Sequence, residues 1–432
     1  MQRFAINAQQ MVDEMAAMDP YVIIFLLDCC REYWLPRKGR SGNQSVGGLQ
    51  QMTAPPGTMI AFACAPGGVT PDRALHSKNG IFTKYLLKHI TTPGIDIDII
   101  LRRVATGVEE ETKNNQRPFR VSSISKENVY VVPLVNTRWV QNGVTVAGGR
   151  ASGDAINQLH QPWGLFIDND QTIVIADKYN HRIIEWKVGN RNGQVIAGGR
   201  GQGNQLNQLN NPTDVLIDKE TNSVIICDRF NRRVVGWSRR SGTTQGEILL
   251  DNIGCRALAI DDQRNLYIAD TDKHEVRRYK IGSKSGTIVA GGNGGGIGLH
   301  QLNVPIYVFV DRQKTVYVSD YNNHRVMKWD EGATEGIVVA GGQGEGNDLT
   351  QLSGPVGIFV DNLDAIYVAD ERNHRVMRWP KGSKQGIVIV GGNGPGEGPM
   401  QFDCPAALAA DRHGYLYVVD NGNHRVQRFF ME

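Results

Sequence analysis

The chain has 432 residues, of which 40% are hydrophobic, and this length leaves room for two or three soluble domains. The formal net charge is only +3, and the 32 basic residues after position 136 are balanced by 32 acidic ones. This balance excludes a general electrostatic attraction of the second part to nucleic acid and leaves room only for a local basic patch.

The first 134 residues alternate between helical and strand-like patterns. An amphipathic helix is predicted over residues 3–18, where the following Asp19-Pro20 pair disfavours further helix. The unbroken apolar run over residues 21–27 is typical of a parallel strand that is covered on both faces. The remaining predicted elements are a buried strand at 58–64, helices at 80–90 and 95–113, and a closing strand at 129–133. This alternation indicates a three-layer α/β domain.

The first predicted strand ends at Asp28-Cys29-Cys30. In open α/β sheets, reacting groups collect where strands end at their carboxyl edge, so a thiol at this place is well positioned for nucleophilic chemistry. The alternative for such a cysteine is a small buried apolar residue. The alternative for Asp28 is a turn or cap residue at the strand end.

Four blocks of this region, in this order, resemble the caspase-like cysteine peptidases, and most of all their paracaspase and metacaspase branch. The blocks are Leu26-Leu27-Asp28-Cys29-Cys30-Arg31, Ile60-Ala61-Phe62-Ala63-Cys64-Ala65-Pro66-Gly67, Asn79-Gly80-Ile81-Phe82-Thr83-Lys84 and Gln116-Arg117-Pro118-Phe119 with Ser122-Ser123. The resemblance implies that Cys30 is the nucleophile and that Cys29 is a neighbour. It also implies that Asp28 lines the pocket for the residue before the scissile bond, where a carboxylate favours Arg or Lys. Asp72 is a further candidate for this pocket.

The resemblance also implies a histidine that activates the thiol and protonates the leaving amine. In caspase-like sequences it lies about 50 residues before the cysteine, whereas only 29 residues precede Cys30 and none of them is histidine. His76 and His89 are expected to have ordinary surface roles. We therefore expect that this sequence is an incomplete copy of a longer peptidase without its first strands, which leaves a sheet edge open. The alternative is an inactive relative.

After residue 136 the chain repeats one motif six times. In the fifth copy it reads Asp370-Glu371-Arg372-Asn373-His374-Arg375-Val376 and closes on Trp379. The leading aspartates are 51, 42, 50, 50 and 50 residues apart, and they are Asp177, Asp228, Asp270, Asp320, Asp370 and Asp420. Each unit has four short β-rich runs with turn residues between them, which is the content of a propeller blade.

Six units predict six blades. The sixth unit ends after its third strand, and an unmatched fourth-strand pattern at residues 143–149 precedes the first unit. We therefore expect this N-terminal strand to complete the last blade and to close the ring, because closure removes the exposed edge of an open array. The third unit is the irregular one, with Lys273-His274-Glu275 in its motif.

The Asn-His-Arg-Val core, the preceding Asp and the Ala-Gly-Gly ends of the units resemble NHL repeats over nearly all of residues 143–430. Five copies carry a histidine at one position, but equivalent positions of different blades point apart, so one metal ion could not collect them. We expect a hydrogen-bonded turn role for these histidines, and neither a metal nor a cofactor. The resemblance implies a propeller that binds proteins or, in some families, RNA, and the neutral charge favours proteins.

The prediction is a multi-domain chain. A partial caspase-like, three-layer α/β domain is expected over residues 1–134, a connector over 135–142 and an all-β, six-bladed propeller over 143–432. By resemblance we expect a cysteine endopeptidase that cleaves protein or peptide substrates after Arg or Lys, while its propeller recruits protein partners. The alternative is a non-enzymatic interaction protein with an inactive peptidase domain, whose propeller binds proteins or RNA.

The longest apolar run, residues 21–27, is too short to span a bilayer, and a polar segment instead of a signal peptide follows Met1. The six cysteines share no spacing, which favours free thiols in a reducing compartment over a disulfide framework. We therefore expect a cytoplasmic protein without a membrane segment.

Overall fold

The computed structural model describes residues 8–17, 22–27, 52–63, 80–91, 95–124, 129, 139–240, 242–411 and 413–431. The chain divides into two compact units, Met1–Thr137 and Arg138–Glu432. The finer boundaries at residues 134 and 142 stay a prediction. In the part of the chain that is described, no helix combines the length and the apolar composition that crossing a bilayer requires.

The first unit is built on a three-stranded sheet. Its elements, in chain order, are α1 (Ala8–Ala17), β1 (Ile23–Leu27), β2 (Thr58–Phe62), α2 (Ile81–His89), α3 (Ile97–Glu111) and β3 (Phe119–Ser122). β1 pairs with β2 in parallel, and β3 pairs with the other side of β2 in the antiparallel sense. Among the described residues β1 has β2 as its single partner.

Helices cover both faces of this sheet. On one face α2 and α3 pack with Met59 and Ala61 of β2, and on the other face Val12 of α1 packs with Ile60 and Phe62. Because side chains alternate along a strand, β2 contributes to both cores, and all five of its residues are buried. The buried apolar residues of α3 are Ile97, Ile100, Leu101, Val104 and Val108. The predicted three-layer α/β arrangement is confirmed.

Strand β3 is absent from the sequence prediction, which put the closing strand at residues 129–133. β3 has four residues, and its end residues Phe119 and Ser122 are exposed, so its hydrophobic alternation is weak. Of the predicted closing strand, only Val129 is described. Its N–H donates to Asp96 Oδ2 at 2.7 Å, and its carbonyl oxygen accepts from the N–H of Ile97 at 2.8 Å, so it binds the start of α3.

The second unit contains six four-stranded antiparallel sheets, and the six predicted blades are confirmed. The strands are β4 (Val144–Gly148), β5 (Leu165–Ile167), β6 (Thr172–Asp177), β7 (Arg182–Lys187), β8 (Gln194–Gly198), β9 (Pro212–Asp218), β10 (Ser223–Asp228), β11 (Arg233–Ser238), β12 (Glu247–Leu250), β13 (Cys255–Ile260), β14 (Asn265–Asp270), β15 (Glu275–Lys280), β16 (Gly286–Gly291), β17 (Pro305–Val310), β18 (Val316–Asp320), β19 (Arg325–Trp329), β20 (Ile337–Gly341), β21 (Pro355–Val360), β22 (Ile366–Asp370), β23 (Arg375–Trp379), β24 (Ile387–Gly391), β25 (Pro405–Ala410), β26 (Leu416–Asp420) and β27 (Arg425–Phe429). Blades one to five are β5–β8, β9–β12, β13–β16, β17–β20 and β21–β24. A short 3-10 helix follows the second strand of four blades, at Lys178–Asn180, Arg229–Asn231, Tyr321–Asn323 and Glu371–Asn373.

The first strands of the six blades stand around a central axis and close into a ring. Each contacts the first strand of the next blade, and β25 of the sixth blade contacts β5 of the first. β4 pairs with β27 as the fourth strand of the sixth blade, with Ala147 opposite Val426. An isolated bridge between Trp139 and Met431 extends this pairing. The prediction that the N-terminal strand completes the last blade is confirmed.

The Ala-Gly-Gly ends of the units have a backbone reason. Gly198, which ends β8, has φ of +68°, in the left-handed region that disfavours residues with a Cβ. A Cβ at this position would lie 2.5 Å from the carbonyl oxygen of His181 and 2.9 Å from Leu209 Cδ1. Glycine is therefore required where the fourth strand passes closely over the motif turn of its own blade.

Candidate functional site

The carboxyl ends of β1 and β2 lie side by side, because the strands are parallel and Leu27 pairs with Phe62. In α/β sheets reacting groups collect at this edge, and residue 28 is the next residue in the sequence after β1. The three predicted site residues lie outside the described residues, and they are Cys30, Asp28 and Asp72. Their roles stay predictions.

A buried glutamine supports this edge. The side-chain amide of Gln116 donates to the carbonyl oxygen of Ala63, one residue past the end of β2, at 2.9 Å. The N–H of Ala63 donates in turn to the carbonyl oxygen of Leu27 at 2.9 Å. Sequence reasoning placed Gln116 in one of the four blocks but missed this positioning contact, because it joins residues 53 apart in the chain.

One of the two histidines of the first unit is described. His89 is the last residue of α2 and is partly buried, whereas His76 lies outside the described residues. Burial lowers the pKa of His89, and the charges of Lys88 and Arg103 lower it further. The imidazole is therefore neutral near pH 7. Its predicted surface role stays a prediction, since its position relative to Cys30 is not described.

In the second unit the repeated motif forms a buried ion pair. In the fifth blade Asp370 is fully buried, and its Oδ2 accepts from Asn373 Nδ2 at 2.8 Å and from Arg375 Nε at 2.7 Å. The terminal nitrogens of Arg375 donate to three backbone carbonyl oxygens of the loop that precedes β21. The same pair occurs in four further blades, as Asp177–Arg182, Asp228–Arg233, Asp320–Arg325 and Asp420–Arg425.

This geometry explains why charged residues repeat inside the blades. A buried carboxylate and guanidinium are tolerated where their remaining hydrogen-bonding groups are satisfied, and here those groups bind the loop between two blades. The motif aspartates and arginines are therefore structural. A binding function must come from positions at which the blades differ.

The motif histidines link neighbouring blades. His374 has φ of +51°, and its Nδ1 accepts the backbone N–H of Cys404 in the next blade at 3.2 Å. The four other motif histidines make the same bond at 3.1 to 3.2 Å, in the pairs His181–Asn211, His274–Val304, His324–Gly354 and His424–Gln161. The predicted hydrogen-bonded turn role is confirmed.

The third blade departs from this pattern. Glu275 stands where the other blades have Arg, and it pairs with Arg277 at 2.5 Å. Asp270 consequently has no arginine partner, and its buried Oδ2 has no hydrogen-bond partner among the described residues. Burial raises the pKa of Asp270. The unit with the irregular sequence is thus the one with the incomplete network.

Comparison with known proteins identifies each unit. Residues 3–130 match the family model described as the caspase domain, and residues 159–185, 352–378 and 402–429 match that of the NHL repeat. The chain joins a caspase-like domain to an NHL-repeat propeller. The recognition made from the four blocks and from the repeated motif is confirmed, whereas the paracaspase and metacaspase branch stays a prediction.

Solved structures resemble the chain at low sequence identity. A protein of unknown function from Bacteroides thetaiotaomicron VPI-5482 is 15% identical with a TM-score of 0.56, over 73% of this chain and 82% of its own. An auxiliary nutrient binding protein from the same organism is 14% identical with a TM-score of 0.54, over 74% of this chain and 87% of its own. An auxiliary nutrient binding protein from Bacteroides ovatus ATCC 8483 is 15% identical with a TM-score of 0.54, over 73% of this chain and 80% of its own. They show the fold alone, and no curated protein sequence matches the chain.

Two cysteines of the NHL propeller are bonded to each other. Cys227 of β10 and Cys255 of β13 form a disulfide between the second and third blades, with Cα atoms 5.4 Å apart. The expectation of free thiols is therefore wrong for this pair, while Cys404 is a free thiol. No spacing rule reveals the pair, because blade packing brings the two residues together. The cytoplasmic location stays a prediction.

One trio of metal-ligating residue types lies together in the described part of the chain. The ligand atoms of His374, Asp403 and Cys404 lie within 4.8 Å of one another. Burial, and then the charge of Asp403, raise the pKa of Cys404 to about 12, so the thiol is protonated when no metal is bound. His374 Nδ1 already accepts a hydrogen bond, so the contacts of the blade junction account for this trio.

Residues that differ between blades meet at the axis. We use the term motif face for the face of the propeller that carries the turn between the second and third strands of each blade. These turns are residues 178–181, 229–232, 271–274, 321–324, 371–374 and 421–424. We use the term axial cluster for five residues at the centre of this face, which are Trp163, Lys178, Arg256, Tyr321 and Glu371. Lys178 Nζ lies 4.7 Å from the ring centroid of Trp163, and Arg256 Cζ lies 4.2 Å from it. Arg256 belongs to the third blade and Trp163 to the first. The side chain of Arg256 therefore reaches past the inner edge of the second blade, which lies between them.

Burial shifts the titration of all three charged members of the axial cluster. Burial, and then the charge of Arg256, lower the pKa of Lys178 to about 8. Burial, and then the charge of Arg229, lower the pKa of Arg256 to about 10. Burial raises the pKa of Glu371, against the hydrogen bond from Tyr321. Lys178 and Arg256 are thus both charged at pH 7, although both side chains are partly buried.

Proposed function

We propose that this protein is a caspase-type cysteine endopeptidase that cleaves after Arg or Lys, and that its NHL propeller recruits protein partners. The observation that carries the proposal is the match of residues 3–130 to the caspase domain. The parallel pairing of β1 and β2 supports it, because the Asp28-Cys29-Cys30 segment follows β1 at the edge where such sheets collect reacting groups.

In the proposed reaction the thiolate sulfur of Cys30 forms a bond to the carbonyl carbon of the scissile peptide. A base takes the thiol proton and returns it to the leaving amine, and water then hydrolyses the thioester. The carboxylate of Asp28 binds the guanidinium or ammonium group of the preceding substrate residue. Gln116 supports the backbone at the end of β2, the strand that pairs with β1.

The test is cleavage of fluorogenic peptides that carry Arg, Lys or Asp before the scissile bond, with the full chain. Since no histidine precedes Cys30 in this sequence, the assay runs with and without added imidazole as an external base. We expect turnover of the Arg and Lys peptides that Cys30→Ala lowers to background and that the neighbouring Cys29→Ala preserves. Turnover that survives in Cys30→Ala would contradict the proposed nucleophile.

A second candidate function is a non-enzymatic interaction protein, and the axial cluster favours it, since unpaired cations at a propeller mouth suit a binding site. This candidate predicts no thiol-dependent turnover in either buffer, together with ligand binding by the propeller. Absence of cleavage with imidazole present would reject peptidase activity of this chain and leave this function.

A further inference from the structure

Charged side chains on the motif face mostly have partners of opposite charge. Such pairs are Arg229 with Asp272 at 2.7 Å and Arg372 with Glu345 at 2.8 Å. Lys178 and Arg256 differ, because the side chain of neither one makes a hydrogen bond or ion pair with any residue that the structure describes. Their contacts are with aromatic rings.

An unpaired cation at such a place works against folding, since burial removes the water that would solvate it. Arg256 Nε is buried without an acceptor, although part of its side chain remains accessible. A second buried donor beside Arg256 has no partner among the described residues, and it is Nε1 of Trp163, whose ring lies against the guanidinium. Both groups can donate a hydrogen bond, so the stacked Arg256 and Trp163 leave two buried donors without an acceptor among the described residues.

The charge of the axial cluster limits what this acceptor can be. Glu371 is the acidic group whose charge acts on both Lys178 and Arg256, yet it forms an ion pair with neither, and its Oε2 accepts from the hydroxyl of Tyr321 at 2.7 Å. Within the axial cluster itself, the two cations Lys178 and Arg256 face the single carboxylate of Glu371, which leaves one positive charge unbalanced. A singly charged anion balances it, whereas a phosphate dianion would leave an excess negative charge beside Glu371.

We propose that the axial cluster binds a carboxylate that a glutamate or aspartate side chain of a protein partner presents. The guanidinium of Arg256 matches a carboxylate in shape and charge, and the ammonium of Lys178 adds a second donor. The rings of Trp163, Tyr179 and Tyr321 provide apolar walls for the methylene groups that carry the carboxylate. The proposal specifies the chemistry by which the propeller recruits a partner. It rests on the recruiting role proposed above and does not depend on the peptidase activity.

The test is a titration of the full chain with acetyl-Gly-Glu-Gly-amide, followed by NMR through the indole N–H resonance of Trp163, which Trp163→Phe assigns. Parallel titrations use the Gln peptide, propionate and inorganic phosphate. We expect a saturable shift with the Glu peptide and none with the Gln peptide. Binding of propionate as strong as that of the Glu peptide, or stronger binding of phosphate, would overturn the assignment to a partner's acidic side chain.

Two variants test the cations, and a third serves as control. Lys178→Met and Arg256→Met are each expected to weaken binding of the Glu peptide about ten-fold or more. Lys381→Met removes an exposed lysine that pairs with Asp364 at 2.6 Å, away from the axis, and is expected to bind like the wild type. Lys178 lies in a surface turn, so its variant remains informative if Arg256→Met does not fold.

Stability separates a ligand site from a structural role. Because Lys178 has no ion pair or hydrogen bond to lose among the described residues, Lys178→Met is expected to keep or raise the melting temperature while it loses binding. Unchanged affinity in Lys178→Met, or no saturable shift in the wild type, would overturn the proposal. The readout does not depend on Cys30, so failure of the peptidase and failure of this site give different results.

Discussion

In the proposed peptidase, we expect the side chain of Asp28 to set the cleavage preference. We expect Asp28→Asn to lower kcat/KM for Arg and Lys peptides about 30-fold or more, because losing one partner of a buried charge pair costs roughly 2 kcal/mol or more. The measurement is initial-rate kinetics on the fluorogenic peptides. Asp72→Asn is the matched comparison, and a greater loss in that variant would move the pocket charge from Asp28 to Asp72.

Lys178 makes ligand binding at the axial cluster dependent on pH. Its pKa is lowered to about 8 by burial and by Arg256, against the opposing charge of Glu371, and the rings of Trp163 and Tyr179 lie against its ammonium group. A lowered lysine pKa means that the charge is present below about pH 8 and is lost as the pH rises through that value.

We therefore expect the affinity for the Glu peptide to fall several-fold from about pH 7 to about pH 9, where the lysine is largely neutral. The same NMR titration at the two pH values measures this change. Lys178→Met removes the lysine but keeps Arg256 and Glu371. A decline of equal size in that variant would assign the pH dependence to another group.

The axial cluster could not be predicted from the sequence, and the reason is physical. Repeats are recognised through positions that agree between blades, and those positions bury ion pairs and join blades. A ligand site on the axis uses positions at which the blades differ, such as Lys178, Tyr321 and Glu371, which occupy the same place in three blades. Resemblance to a family likewise names Cys30 as nucleophile without giving the distance to a base.

At the scale of single elements, the motif turn is stabilised by its buried ion pair. We expect Asp370→Ala to lower the free energy of unfolding by about 3 kcal/mol or more, because Arg375 is left buried without its carboxylate. Denaturant unfolding of the full chain measures this. Asp364→Ala removes a half-exposed carboxylate that pairs with Lys381 and is expected to cost less than about 1 kcal/mol. Equal losses would contradict the role of burial.

Prediction of elements succeeded where the periodic signal was strong. The blades follow from four β-rich runs per unit, and β1 follows from its unbroken apolar run. β3 was not predicted because a four-residue strand with exposed ends has almost no hydrophobic pattern. The partners of Arg375 were not predicted either, because they are backbone carbonyl oxygens 24 to 28 residues earlier, and such contacts do not depend on the spacing of side-chain types.

At the scale of the whole molecule, ring closure was predictable and the disulfide was not. Closure follows from counting strands, because a missing fourth strand at one end and a spare one at the other can only be matched by joining the ends. Cys227 and Cys255 come together because the second strand of one blade packs against the first strand of the next. Such a contact depends on blade packing and leaves no regular spacing.

The disulfide ties two blades beside Arg256 and closes a segment of 28 residues. In the chain-entropy account, a cross-link over a loop of this length stabilises the fold by roughly 3 to 4 kcal/mol. We expect the Cys227→Ser, Cys255→Ser double variant to lose about this much in denaturant unfolding, while Cys404→Ser, which removes a free thiol at another blade junction, loses less. Reduction of the wild type with dithiothreitol is expected to reproduce the loss of the double variant. Reduction that leaves the wild type unchanged would show that the thiols are already free in the native protein and would restore the case for a reducing compartment.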